Sequence, residues 1–430
     1  MIVVCIVVTV LTIETSLVRN YNYTSPASVY TFILIASVYI VGQYFILEFV
    51  GQRSKELEGK RIIPPIIHTG VRILQYVLSI ILVSVFLQMI LDSHYYSIML
   101  SVITYLSYIT AVFMIGLLGL RFFSWFKSNR NAVVFLYGLA SISLAINALL
   151  TLSFVTISFL NMPTSIGPNL QEAYYLPIPG SIQYLFNSAY TLSSIISFIL
   201  TWTATALLLR SYSQKFGKIK YWIVISLPLV YFISQFTSFS LNVFDPLLNS
   251  DPVFYGIVLS VIFNVSKAAG GIFFGVAFWT MAKTIRSDSI VRQYLFVAAA
   301  GFVLLFVADQ AAVMVNAPYP PLGLTSISFT GLASYLIFAG IYSSAVSISQ
   351  DSKLRKSIRN FALTEASLLD SIGSAHMEQE IQNKVIMLTK QNREKMVEES
   401  GIYSSLTDDD VKGYLEQVIK ELSKNHNKKS

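Results

Sequence analysis

Residues Thr325 to Ser349 read TSISFTGLASYLIFAGIYSSAVSIS, a run without a charged side chain. About 20 consecutive apolar residues are enough for an α-helix to cross the roughly 30 Å of hydrocarbon in a bilayer. Cations that follow membrane helices are retained on the cytosolic side. Four of them follow this run closely, at Lys353, Arg355, Lys356 and Arg359. The stretch therefore predicts a transmembrane helix that ends on the cytosolic side.

Eight more runs of this kind precede it along the chain. They are Val29 to Val50, Gly70 to Leu91, Tyr96 to Leu120, Ala132 to Leu160, Ser188 to Leu209, Tyr221 to Val243, Val253 to Ala282, and Gln293 to Val315. A further run, Met1 to Val18, is short and has Glu14 near its end, so we interpret it as a first helix or an uncleaved anchor. The predicted fold class is all-α, a polytopic transmembrane helical bundle of nine or ten spans. With 54% apolar and 12% charged residues, the composition excludes a soluble globular protein.

The charges of the loops predict the orientation of the bundle. Alternate loops contain fourteen cations: Arg53, Lys55, Lys60, Arg61, Arg121, Lys127, Arg130, Arg210, Lys215, Lys218, Lys220, Lys283, Arg286 and Arg292. The intervening loops contain none, and Arg19 is the one exception to the pattern. Because cations mark the cytosolic side, we expect a multi-pass protein of the plasma membrane with a cytosolic C-terminus. An even number of helices would place the N-terminus inside as well, and nine would place it outside.

The chain divides into two parts near residue 350. Residues 1–349 contain 17 Lys and Arg and 10 Asp and Glu, whereas residues 350–430 contain 13 of each. The net charge of +7 therefore belongs to the first part, which we predict to be the transmembrane domain. All 13 prolines also lie there, so residues 350–430 are free to form long cytosolic helices.

The cysteine and histidine content and the placement of the cations argue against several kinds of chemistry. Cys5 is the one cysteine, so a single chain holds neither a disulfide framework nor a cysteine-based metal site. The four histidines are scattered without metal-binding spacing, at His68, His94, His376 and His426. The cations border apolar spans and form no basic stripe on a polar domain, so no nucleic acid is expected as a partner. No cofactor is predicted.

Two ionisable residues lie well within the predicted spans, Lys267 and Asp309. An unpaired charge inside a bilayer costs several kcal/mol, and the two helices are consecutive and antiparallel, so we expect the two residues to pair. Asn264, one turn from Lys267, and Gln310, beside Asp309, add polar groups. One interpretation is a proton, ion or ligand site, and the other is a buried ion pair that fixes the packing of the helices.

Small residues surround Lys267, with Gly271 and Gly275 at GxxxG spacing. Such patterns allow helix backbones to approach closely. Helix packing is the favoured interpretation, and space for a ligand or a sliding helix is the alternative.

The segment after the last span has an apolar stripe that recurs at intervals of three and four residues from Leu354. It includes Leu368, Ile372, Ile381 and Val385, and Gly401 is predicted to end this helix. A second helix is predicted after Thr407, with an apolar face formed by residues that include Val411, Leu415 and Ile419. We expect a helical hairpin or a coiled coil whose apolar stripe packs on the second helix, on another copy of the chain or on a cytosolic protein.

The stretch SLLDSIGSAHMEQEI, residues Ser367 to Ile381, resembles the tails of uncharacterised polytopic membrane proteins of ammonia-oxidising archaea. The resemblance covers the last span and the tail, and the remaining helices by hydropathy. It implies a prokaryotic plasma membrane and no catalytic residues.

These features favour a membrane sensor or scaffold that couples an outer or intramembrane stimulus to a cytosolic partner through its tail. The rival hypothesis is a secondary transporter that uses Lys267 and Asp309. A lipid-handling enzyme has the least support, because no cluster of acid, base and nucleophile lies at a membrane interface. We therefore expect a protein that is not an enzyme.

Overall fold

The computed structural model describes residues 26–55, 65–160, 162–168, 180–210, 217–240, 265–285, 289–308, 319–351 and 367–400, together with the single positions 6, 213, 250, 254, 258, 355, 358, 411, 413 and 414. The described residues form ten helices and two short strands. The helices are α1 (Pro26–Lys55), α2 (Pro65–Asp92), α3 (Ser97–Ser128), α4 (Ala132–Leu160), α5 (Ile182–Leu208), α6 (Lys218–Ser240), α7 (Ser266–Lys283), α8 (Ile290–Ala308), α9 (Leu322–Gln350) and α10 (Ser367–Ser400). Strand β1 (Tyr95–Tyr96) pairs antiparallel with β2 (Ser165–Ile166), a small addition to the predicted all-α fold.

Eight of the described helices are long and apolar enough to cross a membrane, namely α1 to α6, α8 and α9. They coincide with eight of the nine predicted runs. The remaining run, Val253 to Ala282, is described continuously from Val265, where α7 forms its second half. Of the doubtful run Met1 to Val18, the structure describes Ile6 alone. The all-α prediction is therefore confirmed, and the eight long apolar helices fit a multi-pass membrane protein. The choice between nine and ten spans lies outside the described residues.

Helix α9 is the centre of the bundle. Every residue from Leu322 to Ser349 is buried except Tyr342, which is half-buried. Helices α1, α2, α3, α8 and α10 all pack against it. Moving a helix from lipid into the bundle gains little from the hydrophobic effect, because lipid tails are as apolar as the protein core. Close packing and interhelical hydrogen bonds therefore hold such a helix in place. The small and hydroxylated residues of α9 suit this position.

Glycines allow α9, α8 and α7 to approach one another at backbone distance. A methyl group on Gly340 of α9 would lie 2.5 Å from the backbone nitrogen of Ala298 in α8. On α7, a methyl group on Gly275 would lie 2.8 Å from the carbonyl oxygen of Ala299. Gly271 is similarly placed, 3.2 Å from the Val303 carbonyl. These contacts support the packing interpretation of the GxxxG spacing, and they show that α8 runs antiparallel to both neighbours.

Polar side chains also join helices across the bundle. Tyr39 of α1 donates a 2.8 Å hydrogen bond to Gln75 of α2, and Nδ1 of His68 lies 2.8 Å from the hydroxyl of Tyr335 in α9. Several hydroxyls of α9 instead donate to the carbonyl four residues earlier, as Ser334 does to Thr330 at 2.8 Å. Such bonds satisfy polar groups in an apolar interior without a second helix.

Candidate functional site

Lys267 lies near the start of α7 and its side chain points towards α5. Its Nζ donates a hydrogen bond of 3.2 Å to the hydroxyl of Tyr190, and it lies 5.6 Å from the centroid of that ring. Asn147 of α4 holds this part of α5 in place, because its Nδ2 donates to the Tyr190 carbonyl at 3.3 Å and to Oγ of Ser193 at 2.8 Å. Phe154 stacks on the Tyr190 ring with 5.7 Å between centroids. A charged group inside the bundle is thus held by a polar and aromatic arrangement from two other helices.

A small cavity of about 30 Å³ adjoins Lys267. Residues from the seven helices α3 to α9 line it, and we call it the central chamber. Its polar lining consists of Tyr108, Asn147, Ser194, Ser197, Lys267 and Thr330. The other lining residues are apolar: Ala111, Ile115, Leu144, Ala148, Phe198, Phe232, Leu305 and Phe306. A cavity of this volume accommodates one or two water molecules, which would bind at the polar side chains. The chamber is too small for an organic solute in this conformation.

Thr330 is the contribution of α9 to the central chamber. Its side chain is buried, and its Oγ1 has no hydrogen-bond partner among the residues that the structure describes. A buried hydroxyl without a partner is costly, so water or an ion in the chamber would stabilise it. Thr330 thus connects the central helix to whatever occupies the space beside Lys267.

The structure describes only part of the intramembrane site that the sequence predicts around Lys267 and Asp309. Lys267 lies at the central chamber, whereas Asn264, Asp309 and Gln310 fall outside the described residues, so the Lys267–Asp309 pair stays a prediction. Leu305 and Phe306, which line the chamber from α8, shortly precede Asp309 in the sequence.

Sequence reasoning did not identify Tyr190, Asn147 or Thr330 as parts of this site. Asn147 makes interhelical hydrogen bonds, and it also lines the chamber. An amide in the middle of an apolar run was the available clue, because polar residues there tend to face the interior of a bundle.

A second arrangement of polar residues lies where α10 packs on the ends of α3, α4 and α9. We call this the basic end, since Lys127 and Lys283 lie in the last turns of α3 and α7 there. Four apolar residues of α10 are buried at this contact: Leu368, Leu369, Ile372 and Ala375. Gly373 lies against the side chain of Ile348 so closely that an added methyl group would overlap it.

Hydrogen bonds fix the position of α10. Asn131 donates from Nδ2 to Oγ of Ser371 at 2.8 Å. Gln379 donates from Nε2 to the carbonyl of Ser124 at 2.9 Å and to its Oγ at 3.0 Å. Since amide and hydroxyl groups of different elements meet here in specific pairs, the contact has a defined geometry as well as an apolar core.

This contact corrects the prediction that the apolar stripe needs a partner outside the bundle. Leu368 and Ile372 pack on the transmembrane helices of the same chain, so they are not available to another protein while α10 is docked. Ile381 is exposed and Val385 is half-buried. The helix is described continuously from Ser367; of the predicted stretch between Leu354 and that residue, the structure describes Arg355 and Ile358, and both are helical.

The predicted second tail helix lies largely outside the described residues. Val411 is buried, whereas Leu415 and Ile419 are not described, so the hairpin stays a prediction.

His376 lies within the α10 contact, between the aromatic rings of Trp125 and Tyr342, whose centroids are 6.3 Å and 5.8 Å away. Its Nδ1 is buried without a hydrogen-bond partner among the described residues. Burial lowers the pKa of His376; the nearby Glu380 opposes this effect and Arg121 adds to it. The docked helix therefore favours the neutral imidazole.

Docking of α10 is expected to weaken as the pH falls through about 6.5, the ordinary pKa of histidine. The pKa of His376 is lower when α10 is docked than when it is free. Docking of α10 therefore has its full stability above about pH 6.5 and loses stability as the pH falls towards the pKa of the docked state. Hydrogen exchange of residues 368–380 at neutral and mildly acidic pH, corrected for intrinsic exchange rates, measures it. His376→Gln, which does not titrate, should remove the pH response, and an unchanged response in that variant would contradict the assignment.

Within the described ranges, no group of three or more His, Cys, Asp and Glu residues is placed to hold a metal ion. No family model, no curated protein and no solved structure matches the chain.

Proposed function

We propose that this protein is an integral membrane sensor or scaffold in which α9 couples the central chamber to α10. One observation carries the proposal: α9 is buried along its length and contacts both places, with Thr330 in the chamber and Ile348 against Gly373 of α10. Thr330 and Ile348 are about 27 Å apart along the axis of α9. A packed helix that moves as a unit can transmit a displacement over this distance.

The proposal that the tail binds a partner rests on the part of α10 that does not pack on the bundle. Several apolar side chains beyond the docked part are exposed, among them Ile381, Met387, Leu388 and Met396. Either a cytosolic protein or a second copy of the chain would cover them. The cations of the alternate loops favour placing α10 in the cytosol, and the resemblance to archaeal membrane proteins favours a prokaryotic plasma membrane. We assign no enzymatic activity to the protein.

Thr330→Val is the sharpest test of the coupling, because it removes the unpartnered hydroxyl and nearly keeps the shape of the side chain. If the chamber and α10 are coupled, the variant should change the hydrogen exchange of residues 368–380 by about fivefold or more, the lower end of measured allosteric couplings. The measurement uses the full chain in lipid nanodiscs.

Thr325→Val is the matched control. Thr325 is also a buried threonine of α9 whose Oγ1 has no described partner, but it does not line the chamber. Exchange in α10 should stay at the wild-type rate in this variant. Equal rates in the wild type and both variants would exclude α9 as the coupling element.

The alternative function is a secondary transporter, and the observation that favours it is the position of Lys267 beside a water-sized chamber that other polar side chains also line. Intramembrane ionisable residues are typical of proton and ion pathways. Under this hypothesis Lys267 and Asp309 exchange a proton or hold an ion, and α10 serves oligomerisation.

Proton flux into liposomes distinguishes the two functions. A protein that carries protons through this site without a second solute should dissipate an imposed pH gradient, and Lys267→Met and Asp309→Asn should each abolish the flux. Lys283→Met, at the basic end of the same helix as Lys267, should leave it unchanged. Wild-type liposomes that leak no faster than empty ones would rule out uncoupled proton transport through this site.

A further inference from the structure

A cleft of about 440 Å³ lies between α1 and α8, with Leu336 of α9 at its floor. It is separate from the central chamber, with which it shares no lining residue. The walls are mostly apolar and consist of Phe45, Ile46, Phe49 and Val50 on α1 and Phe296, Val297 and Ala300 on α8. The volume falls within the range of small-molecule sites.

One end of the cleft is polar. Glu48 and Gln52 on α1 and Gln293 on α8 line it there. Gln52 donates from Nε2 to Oε1 of Glu48 at 3.1 Å. Oε1 of Gln293 is buried and accepts no hydrogen bond from the described residues. A carboxylate and an unused amide oxygen together form an acceptor-rich end, which suits a group that donates hydrogen bonds.

The position of the cleft indicates which medium fills it. Gln52 lies one turn before the end of α1, and Gln293 lies one turn after the start of α8, so the polar end lies near the basic end of the bundle. The apolar part extends from there towards the middle of α9, where Leu336 lies. Phe45 and Phe49 form an outer rim and are 53% and 44% exposed. Since α1 and α8 both have the length and apolarity of membrane spans, this rim faces lipid.

We infer that the cleft binds a membrane lipid, with a hydrocarbon chain between α1 and α8 and a headgroup that donates hydrogen bonds to Glu48 and Gln293. A hydroxyl or ammonium headgroup matches these acceptors, whereas a headgroup with acceptors alone would face the Glu48 carboxylate. A spanning protein helix of about 10 Å diameter and 30 Å length would occupy roughly 2,400 Å³, far more than the cleft offers. This site is independent of the proposed function, because it requires no movement of α9.

Two photoreactive lipids test the site, a phosphatidylethanolamine and a phosphatidylcholine with a diazirine in the acyl chain, each diluted into phosphatidylcholine vesicles that contain the full chain. The ammonium of the first donates hydrogen bonds, and the choline of the second does not. We expect the phosphatidylethanolamine probe to label residues 45–52 and 293–300 about tenfold more than the phosphatidylcholine probe, the effect of about one hydrogen bond to a charged group.

Two variants distinguish cleft binding from surface contact. Ala300→Trp fills the cleft and should abolish labelling by both probes there, whereas Ile80→Trp, at an exposed position on α2, should leave it unchanged. Gln293→Leu should keep labelling of the apolar part and lose the preference for phosphatidylethanolamine. It tests the headgroup assignment even if Ala300→Trp fails to fold. Equal labelling by the two probes in the wild type, or labelling that persists in a folded Ala300→Trp variant, would overturn the inference.

Discussion

Gly340→Ala is expected to destabilise the bundle by about 3 kcal/mol, the upper part of the range for an overpacked core. The added methyl group would lie 2.5 Å from the backbone nitrogen of Ala298 and 2.6 Å from the carbonyl oxygen of Tyr294. Both are backbone atoms of α8, so no side-chain rotation relieves the clash. The helices must separate, and α9 then loses the packing that holds it in the core. The thermal midpoint of the detergent-solubilised protein, followed by size-exclusion chromatography, measures the loss.

Gly116→Ala is the matched control for this prediction. Gly116 is also a glycine within a membrane helix, but no atom lies within 4 Å of the place that its methyl group would take. Alanine is a better helix former than glycine by about 1 kcal/mol, so this variant should be as stable as the wild type or slightly more stable. If both variants had the wild-type midpoint, the backbone contact between α8 and α9 would not exist in the folded protein.

The sequence predicts the helices well and their arrangement poorly. Hydropathy located the eight described spans, because every span must be predominantly apolar over about 20 residues whichever neighbours it faces. For the same reason, hydropathy does not distinguish the central α9 from the lipid-exposed α6. The frequent glycine, serine and threonine residues of α9 were the usable clue, since small residues concentrate where helices touch.

At the central chamber, too, the sequence indicated a single residue but not the residues that surround it. Lys267 was identified because a charge within an apolar run is conspicuous and costly. Its partner Tyr190 lies 77 residues earlier and on a helix that is not adjacent in the sequence. Which residues meet Lys267 depends on the order and rotation of the helices, and the pattern of one span contains no information about either. Thr330 was missed for this reason as well.

The tail shows what periodicity can and cannot predict. The spacing of Leu368 and Ile372 predicted a helix with an apolar stripe, and α10 is helical at both positions. The stripe gave no indication of what covers it, because the membrane domain, another copy and a partner protein all offer apolar surface. In the structure the bundle covers the first part of the stripe, and from Ile381 the described apolar residues are exposed or half-buried.

Ile372→Asp is expected to release α10 from the bundle. Ile372 is 1% exposed and packs at the basic end, so the aspartate would place a carboxylate without a partner in an apolar contact. Burying a charge in this way costs several kcal/mol, and undocking costs less because α10 is then hydrated. Hydrogen exchange of residues 368–380 should accelerate by about 100-fold or more, which corresponds to about 2.7 kcal/mol. The transmembrane helices should keep their protection, because most of their contacts do not involve α10.

Ile381→Asp provides the comparison on the same helix, since Ile381 is 45% exposed and lies beyond the docked part. In the Ile381→Asp variant, hydrogen exchange of residues 368–380 should match that of the wild type.

The pair of variants also separates two roles of α10. If Ile372→Asp changes recruitment of a cytosolic partner or self-association and Ile381→Asp does not, docking controls the function of the tail. If Ile381→Asp alone weakens recruitment, the exposed half is the binding surface and docking only positions it. Equal and slow exchange in both variants would contradict the docked position of α10, because a buried aspartate cannot remain there without cost.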